Sequence, residues 1–325
     1  MNNKYKLKVA VIGLGHQSLE DHIPAIKFSD DLILEAVVEI DKTKLKSFLK
    51  ENPSVKGYIN SHDLFKKHNL DFVIVAVPHN LHYKITKYAL ENNVHVLKEK
   101  PFAISFKEAE SLEKIAHKKN LHIMTTLQRR FNPIYLTFFQ LIDKIGKPFF
   151  IDIKYTFFTA KPYDGWRGKR KFAGGGCLFD MGYHMVDLLI WYFGLPDKVF
   201  AEMSTSAVEN ISYDAEDTSL VVFRYDKKDV WGSLLVSRVI PPKQESFDVY
   251  GTKGTLHIER GKISRLTPGG DIIESLERKN SWVSAPVDQL EYFVRLITGK
   301  TKEIIGDPKS HFNHLIFIEA AYKSK

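Results

Sequence analysis

Apolar and polar positions in the first third of the chain alternate between two patterns. Short, nearly unbroken apolar runs at 8–12, 32–38, 72–77, 95–97 and 122–125, four of them rich in valine or isoleucine, read as strands covered on both faces. Between them lie amphipathic helical stretches, clearest at 81–92 and 105–120. Regular alternation of strand and helix implies a parallel sheet with right-handed crossovers, the doubly wound nucleotide-binding arrangement.

After Pro133 the pattern changes. A helix over 134–145 leads to a strand-like run at 149–157, a glycine-rich segment, and a second helix at 178–193. From 199 to about 273, β-type runs such as 219–225, 230–237 and 247–250 follow one another without helices between them, separated by turns such as 251–254. Such a region is expected to be an α+β domain with an open, mostly antiparallel sheet. Helical stretches at 287–298 and 312–325 close the chain. The 325 residues thus divide into an expected α/β Rossmann domain, 1–127, and an α+β domain, 128–325, a division that suits the length.

Composition narrows the picture. With 44% hydrophobic and 26% charged residues the chain is neither disordered nor fibrous. Its one cysteine, Cys177, excludes an internal disulfide and a four-cysteine zinc site, and fits a reducing cytoplasm. The basic start (Lys4, Lys6, Lys8) is followed by an apolar run of only 9–12, too short for a signal peptide or a membrane span. The formal charge of +8 favours anionic partners, a cofactor diphosphate among them. The lysines and arginines are scattered, with no nucleic-acid-binding signature, so no nucleic-acid or membrane partner is expected.

The candidate chemistry sits at strand ends. The first strand runs into Gly13-Leu14-Gly15-His16-Gln17-Ser18, where glycines permit a tight turn and a close approach of backbone to a diphosphate. Ser18 stands at the third glycine of the usual fingerprint, and the stretch before His22 is one residue longer than usual. The second strand ends at Glu39 and Asp41, placed to accept ribose hydroxyls and to repel a 2′-phosphate, which favours NAD; Lys42 keeps NADP open. Pro78, His79 and Asn80 end a later strand at the same edge, with His82 in a structural role. Glu99-Lys100-Pro101 follows the next strand, and the Lys100 ammonium suits stabilisation of developing charge on an oxygen.

The second segment is Gly174-Gly175-Gly176, then Asp180, Gly182, His184 and Asp187. On a helix the three polar residues share one face of an otherwise apolar element. A polar stripe in a buried helix costs several kcal/mol unless satisfied or facing a cleft. It reads as an acid/base site, with a closed Asp187–His184 network or a metal as the competing readings. Upstream, Trp166 and Arg167 in an aromatic, cationic loop suit a sugar or polyol substrate, or an acidic one. No convincing fourth metal ligand accompanies the stripe.

Together these segments resemble the family of glucose–fructose oxidoreductase, inositol 2-dehydrogenase and the rhizopine-catabolism proteins (Gfo/Idh/MocA), over nearly the whole chain. The most specific matches are Glu99-Lys100-Pro101 and the block from the glycines to Asp187. Gln128-Arg129-Arg130-Phe131-Asn132-Pro133 and Tyr250-Gly251-Thr252-Lys253-Gly254 match further family stretches. The resemblance implies hydride transfer between NAD(P) and a hydroxyl-bearing carbon of a sugar or cyclitol. It puts Lys100, Asp180 and His184 at the catalytic positions, with His184 as general base, Lys100 polarising the oxygen and Asp180 orienting. It also implies a homodimer or homotetramer formed through the open sheet. Two other expectations remain beside it: an NAD-dependent glycoside hydrolase working by transient oxidation, and a non-catalytic NAD-binding regulator.

Overall fold

The structure, a computed structural model, describes residues 6–278, 281–303 and 305–324. The chain divides into two compact units, residues 1–128 with 283–311, and residues 129–282 with 312–325.

The first unit is built on a six-stranded, wholly parallel sheet: β1 (Leu7–Ile12), β2 (Leu32–Val38), β3 (Lys56–Tyr58), β4 (Phe72–Val75), β5 (His95–Lys98) and β6 (Ile123–Thr125), in the order β3-β2-β1-β4-β5-β6. Order reverses between β1 and β4, so the carboxyl ends of those strands form the crevice where doubly wound sheets take ligands. β1 and β4 are buried almost throughout, as their unbroken apolar runs require. β3 was absent from the sequence expectation. Three half-exposed residues at the sheet edge are too few to carry a period.

The crossover helices are α1 (Ile23–Phe28), α2 (Lys42–Glu51), α3 (Ser61–Lys67), α4 (His79–Glu91) and α5 (Phe106–Lys119). Local chemistry sets their ends: Asp41 caps α2, Asn60 caps α3 and Ser105 caps α5, while Asn120 in the left-handed region (φ 54°) ends α5.

Residues 283–311, expected with the second domain, belong to the first unit. Inside α11 (Ser281–Ile297), Phe293 packs edge-on against Phe72 of β4 at 5.3 Å, and the buried Gln289 accepts the Leu127 N–H at 2.8 Å. Helical periodicity shows that such a segment has a buried face, but not which sheet it covers.

The second unit holds an eight-stranded sheet of β7 (Pro148–Phe158), β8 (Lys198–Ser204), β9 (Thr218–Tyr225), β10 (Val230–Ser237), β11 (Val239–Gly251), β12 (Gly254–Glu259), β13 (Lys262–Leu266) and β14 (Ile272–Glu277). Its order is β14-β13-β12-β11-β7-β10-β9-β8; β7 and β10 run parallel and every other pair is antiparallel. Alternating burial along β9 and β10 shows one covered face and one open face. The 251–254 turn closes the β11–β12 hairpin, with Gly251 paired to Gly254.

Two expected helices are broken. The span 134–145 is α6 (Pro133–Leu136), α7 (Phe138–Leu141) and a 3-10 turn at Ile142–Ile145. At the break, the Thr137 hydroxyl and N–H both donate to Pro133 O, at 2.8 and 3.0 Å, and the Gln140 N–H then bonds to Thr137 O, three residues back instead of four. The 178–193 helix is split into α9 (Cys177–Asp180) and α10 (Tyr183–Phe193), preceded in the chain by α8 (Arg170–Ala173). Met181 and Gly182 keep helical dihedrals, but the Gly182 N–H bonds to Cys177 O instead of continuing the i→i−4 ladder. The last helix, α12 (Ser310–Ser324), matches the expected 312–325 except for Lys325, which lies outside the described residues.

Candidate active site

In the first unit, the turn after β1 is closed by Gly13, whose φ of +99° suits glycine and whose Cβ, if present, would lie 2.2 Å from Ala76 O. At Gly15 a Cβ would meet nothing within 4 Å, so this backbone faces open space and a diphosphate can approach it. The first helical bonds run from Ser18 and Leu19 N–H to Gly15 O, which leaves the N–H groups of Gly15, His16 and Gln17 at the head of the turn without an intrahelical acceptor. That geometry fits a dinucleotide diphosphate.

The extra residue noted before His22 is absorbed as a π-helical turn, Ser18–His22, the element that one inserted residue produces in a helix. Ser18 substitutes for the third glycine by burying its hydroxyl against the turn, donating to Gly13 O at 2.6 Å. Gln17 reaches Asp21 through its side chain, and His16 is exposed.

Glu39 stands at the end of β2 as expected. One carboxylate oxygen accepts the Leu14 N–H at 2.9 Å and the other the Asp41 N–H at 3.0 Å, tying the acid to the glycine turn. A carboxylate has lone pairs for further donors, so ribose hydroxyls remain compatible with it. Asp41 caps α2, its Oδ1 accepting from Thr43 and Lys44 N–H, and it too keeps lone pairs for a ribose hydroxyl.

Pro78 and Asn80 are half-buried at the start of α4, and His79 is buried edge-on to His82 at 5.7 Å. His82 bridges Val77 O (2.8 Å) and Pro101 O (3.1 Å), which fixes the loop carrying Lys100; burial, with Lys98 and His79 nearby, pushes its pKa well down. The Lys100–Pro101 peptide is cis.

Glu99 pairs with His22 at 2.9 Å. Burial pushes its carboxyl up, but His22 and Lys100 outweigh this and hold it below its ordinary value. Lys98 was not anticipated: a cation fully buried in a strand, bonded to Phe102 O, with its pKa pushed down to about 7 by burial. The signal was present in the sequence as a lysine closing an apolar run.

In the second unit, the triglycine segment is anchored by the buried Glu216. Its carboxylate accepts from Gly176 N–H (2.8 Å), Leu178 N–H (3.1 Å) and the Tyr322 hydroxyl (2.8 Å), and burial raises its pKa. A Cβ on Gly176 would lie 2.1 Å from Glu216 O, so only glycine fits.

The helix stripe separates in fate. Asp187 is closed into the interior: Arg130 contacts both its oxygens, at 2.7 and 3.2 Å, and His314 of α12 reaches it at 2.8 Å. Burial raises its pKa, but Arg130 and His314 prevail and hold it far below the carboxylate range.

Asp180 meets two guanidinium groups, Arg167 Nε at 3.0 Å and Arg238 Nη2 at 3.8 Å. His184 is half-buried on the first turn of α10. Arg167 stacks on Trp166 with its Cζ 4.3 Å from the ring centroid, so the two predicted substrate residues form one unit. Nothing local in the sequence marked Arg238, Glu216 or His314 as partners of this block.

A two-unit chain with a parallel 3-2-1-4-5-6 sheet, a glycine turn at its switch point and an Asp/His block in an α+β unit defines a dinucleotide-dependent oxidoreductase class. The model of the oxidoreductase family's NAD-binding Rossmann fold matches residues 7–127, and that of the GFO/IDH/MocA C-terminal domain matches 135–257. The chain belongs to the Gfo/Idh/MocA family of oxidoreductases, and its first unit is the family's NAD-binding domain.

Among relatives, an uncharacterised oxidoreductase of Schizosaccharomyces pombe is 29% identical, covering 67% of this chain and 60% of its own length. The NADP-dependent scyllo-inositol 2-dehydrogenase IolW of Bacillus subtilis is 23% identical, over 75% of this chain and 66% of its own. Over these two alignments the chain thus spans less than two thirds of either relative's length. In fold, the chain matches the WlbA dehydrogenase of Chromobacterium violaceum, solved with NADH and UDP-GlcNAcA, at a TM-score of 0.83, 23% identity and coverage of 100% and 94%.

Proposed function

We propose that the chain is an NAD(P)-dependent dehydrogenase that oxidises, reversibly, a hydroxyl-bearing carbon of a sugar, inositol or related polyol. The observation that carries this reading is the arginine-held Asp180 followed by a half-buried His184, in the α+β unit of a family whose other unit binds NAD. IolW, an inositol dehydrogenase, is similar along most of this chain.

When bound, the nicotinamide supplies the two-electron hydride acceptor. Gly13, Gly15, His16 and Gln17 receive the diphosphate, Glu39 the ribose, and Pro78, His79, Asn80 and Glu99 line the cofactor edge. His184 removes the proton from the substrate hydroxyl as the carbon is oxidised. Lys100 stabilises the charge developing on that oxygen, and Asp180, paired with its guanidinium partners, orients substrate and histidine. Trp166 and Arg167 hold the substrate. Glu39 sets a preference for NAD by repelling a 2′-phosphate.

The open face of the eight-stranded sheet supports self-association. Phe200, Leu220, Val222 and Trp231 expose 52, 44, 40 and 49% of their surface there, and cross-strand pairing puts them on one face. The buried lone thiol Cys177 suits a reducing compartment, the cytoplasm. No described helix is long and apolar enough to cross a membrane.

The testing experiment is a panel of sugars, inositols and sugar acids assayed for absorbance change with NAD and NADP separately. Net NADH formation supports the dehydrogenase. Sugar release from glycosides without net cofactor change assigns the chain to hydrolysis, and NAD binding with neither activity assigns it to regulation.

A further inference from the structure

Arg167 has one edge engaged and one edge open. Its Nε donates to Asp180 at 3.0 Å and its plane lies on Trp166, while its two terminal amino groups make no hydrogen bond or ion pair among the described residues. The side chain is 54% exposed. A guanidinium so held presents a preoriented fork of the kind that takes a carboxylate through two parallel hydrogen bonds, and stacking removes much of the entropy cost of ordering it.

Behind it stands Arg238, only 4% exposed, whose Nη2 is buried without a hydrogen-bond partner, 3.8 Å from Asp180. A buried cation short of partners raises the local potential. Two guanidinium groups thus converge on the one Asp180 carboxylate, and the planar fork of Arg167 matches a planar carboxylate. The adjoining Lys169 and Lys171 are exposed and add to the same sign.

We propose that the Arg167 fork is a carboxylate subsite, and that the substrate of this chain is a polyhydroxylated acid, a uronate or aldonate, in place of a neutral sugar or cyclitol. The inference rests on the dehydrogenase reading only in making Asp180 part of the reacting site; the binding of the acid stands apart from turnover.

The test is ligand-induced thermal stabilisation, in saturating NAD, with matched sets: D-glucose, D-glucuronate, D-gluconate and D-glucose 6-phosphate, and the galacto and manno counterparts. Uronates or aldonates are expected to stabilise the wild-type chain at concentrations where the neutral hexoses do not. Arg167→Ala should weaken that binding by about 10- to 100-fold more than it weakens hexose binding, the worth of a charge-assisted contact. Arg167→Lys keeps the charge but not the fork and should retain part of the affinity.

The proposal is overturned if no acid binds more tightly than its neutral counterpart, if the 6-phosphates outbind the carboxylates, or if Arg167→Ala weakens acids and hexoses equally, as a purely structural partner of Asp180 would. Turnover is followed separately as NADH. Neutral polyols oxidised while acids are ignored would sink the carboxylate subsite and keep the dehydrogenase. Acids bound through Arg167 without NADH formation would do the reverse.

Discussion

Asp180 and Asp187 share a segment and a residue type, and each pairs with arginine, yet the structure uses them differently. Asp187 is enclosed: its side chain is 2% exposed, Arg130 11%, and His314 fully buried. Every partner is inside, so the carboxylate is committed to holding α10 against α12 and the residues after Gln128. Asp180 is equally sheltered at 9%, but its nearer partner Arg167 is half exposed. A charge pair closed on all sides is a structural device; one with an open partner can exchange that partner for a ligand. Sequence spacing alone made the two residues equivalent.

Four outcomes would break or sharpen this contrast. The largest effect is expected at His184, on the first turn of α10 and between the two acids in sequence. His184→Ala should lower turnover by about 10²–10⁴-fold, the usual worth of a general base, with NAD affinity and melting temperature nearly unchanged. Unchanged turnover would remove the chemical role from this end of the segment.

Next, Asp187→Ala should cost about 3–5 kcal/mol of stability in denaturant unfolding, because it strands the buried Arg130 without its counter-charge. A variant as stable as the wild type would mean that Asp187 is not the closed partner described here. Asp180→Asn should weigh more on activity, with turnover falling about 10²-fold and a loss of stability smaller than that of Asp187→Ala, because its nearer partner Arg167 is half exposed to water. Equal losses of stability at both positions would erase the contrast.

The smallest effect is on acid stability. Asp187 has its pKa lowered in the folded chain, so the folded state binds fewer protons than the unfolded one. Its contribution is present above the unfolded value of about 3.9 and fades as pH falls below it, by at most about 1.4 kcal/mol per pH unit. Asp187→Asn should therefore show a shallower loss of stability below about pH 4 than the wild type. Parallel acid-unfolding curves would argue that Asp187 is not held ionised by Arg130 and His314.

How much of this was legible depended on chain distance. The runs that became β1, β2, β9 and β10, the Gly13 turn and the loop at Lys100 are all local, and a local pattern carries them. The broken helices were less legible. At Thr137 a hydroxyl and an N–H share one carbonyl, and at Gly182 the bond reaches back five residues, local departures that a continuous 3.6 period hides. Lys98 gave a weak signal, a charge inside an apolar run, whose meaning needed the carbonyl of Phe102 to be located.

Taken by itself, the sequence determined the periodicities, the places where glycine turns follow strands, and the acids, bases and cations available for chemistry. Only the tertiary structure decided which of those groups are enclosed, which helix joins which sheet, and that Arg238 and Arg167 converge on Asp180 while Arg130 and His314 close over Asp187. The physical reason is that burial and charge pairing are set by neighbours in space. His314 stands 127 residues along the chain from Asp187, far beyond the reach of any local period.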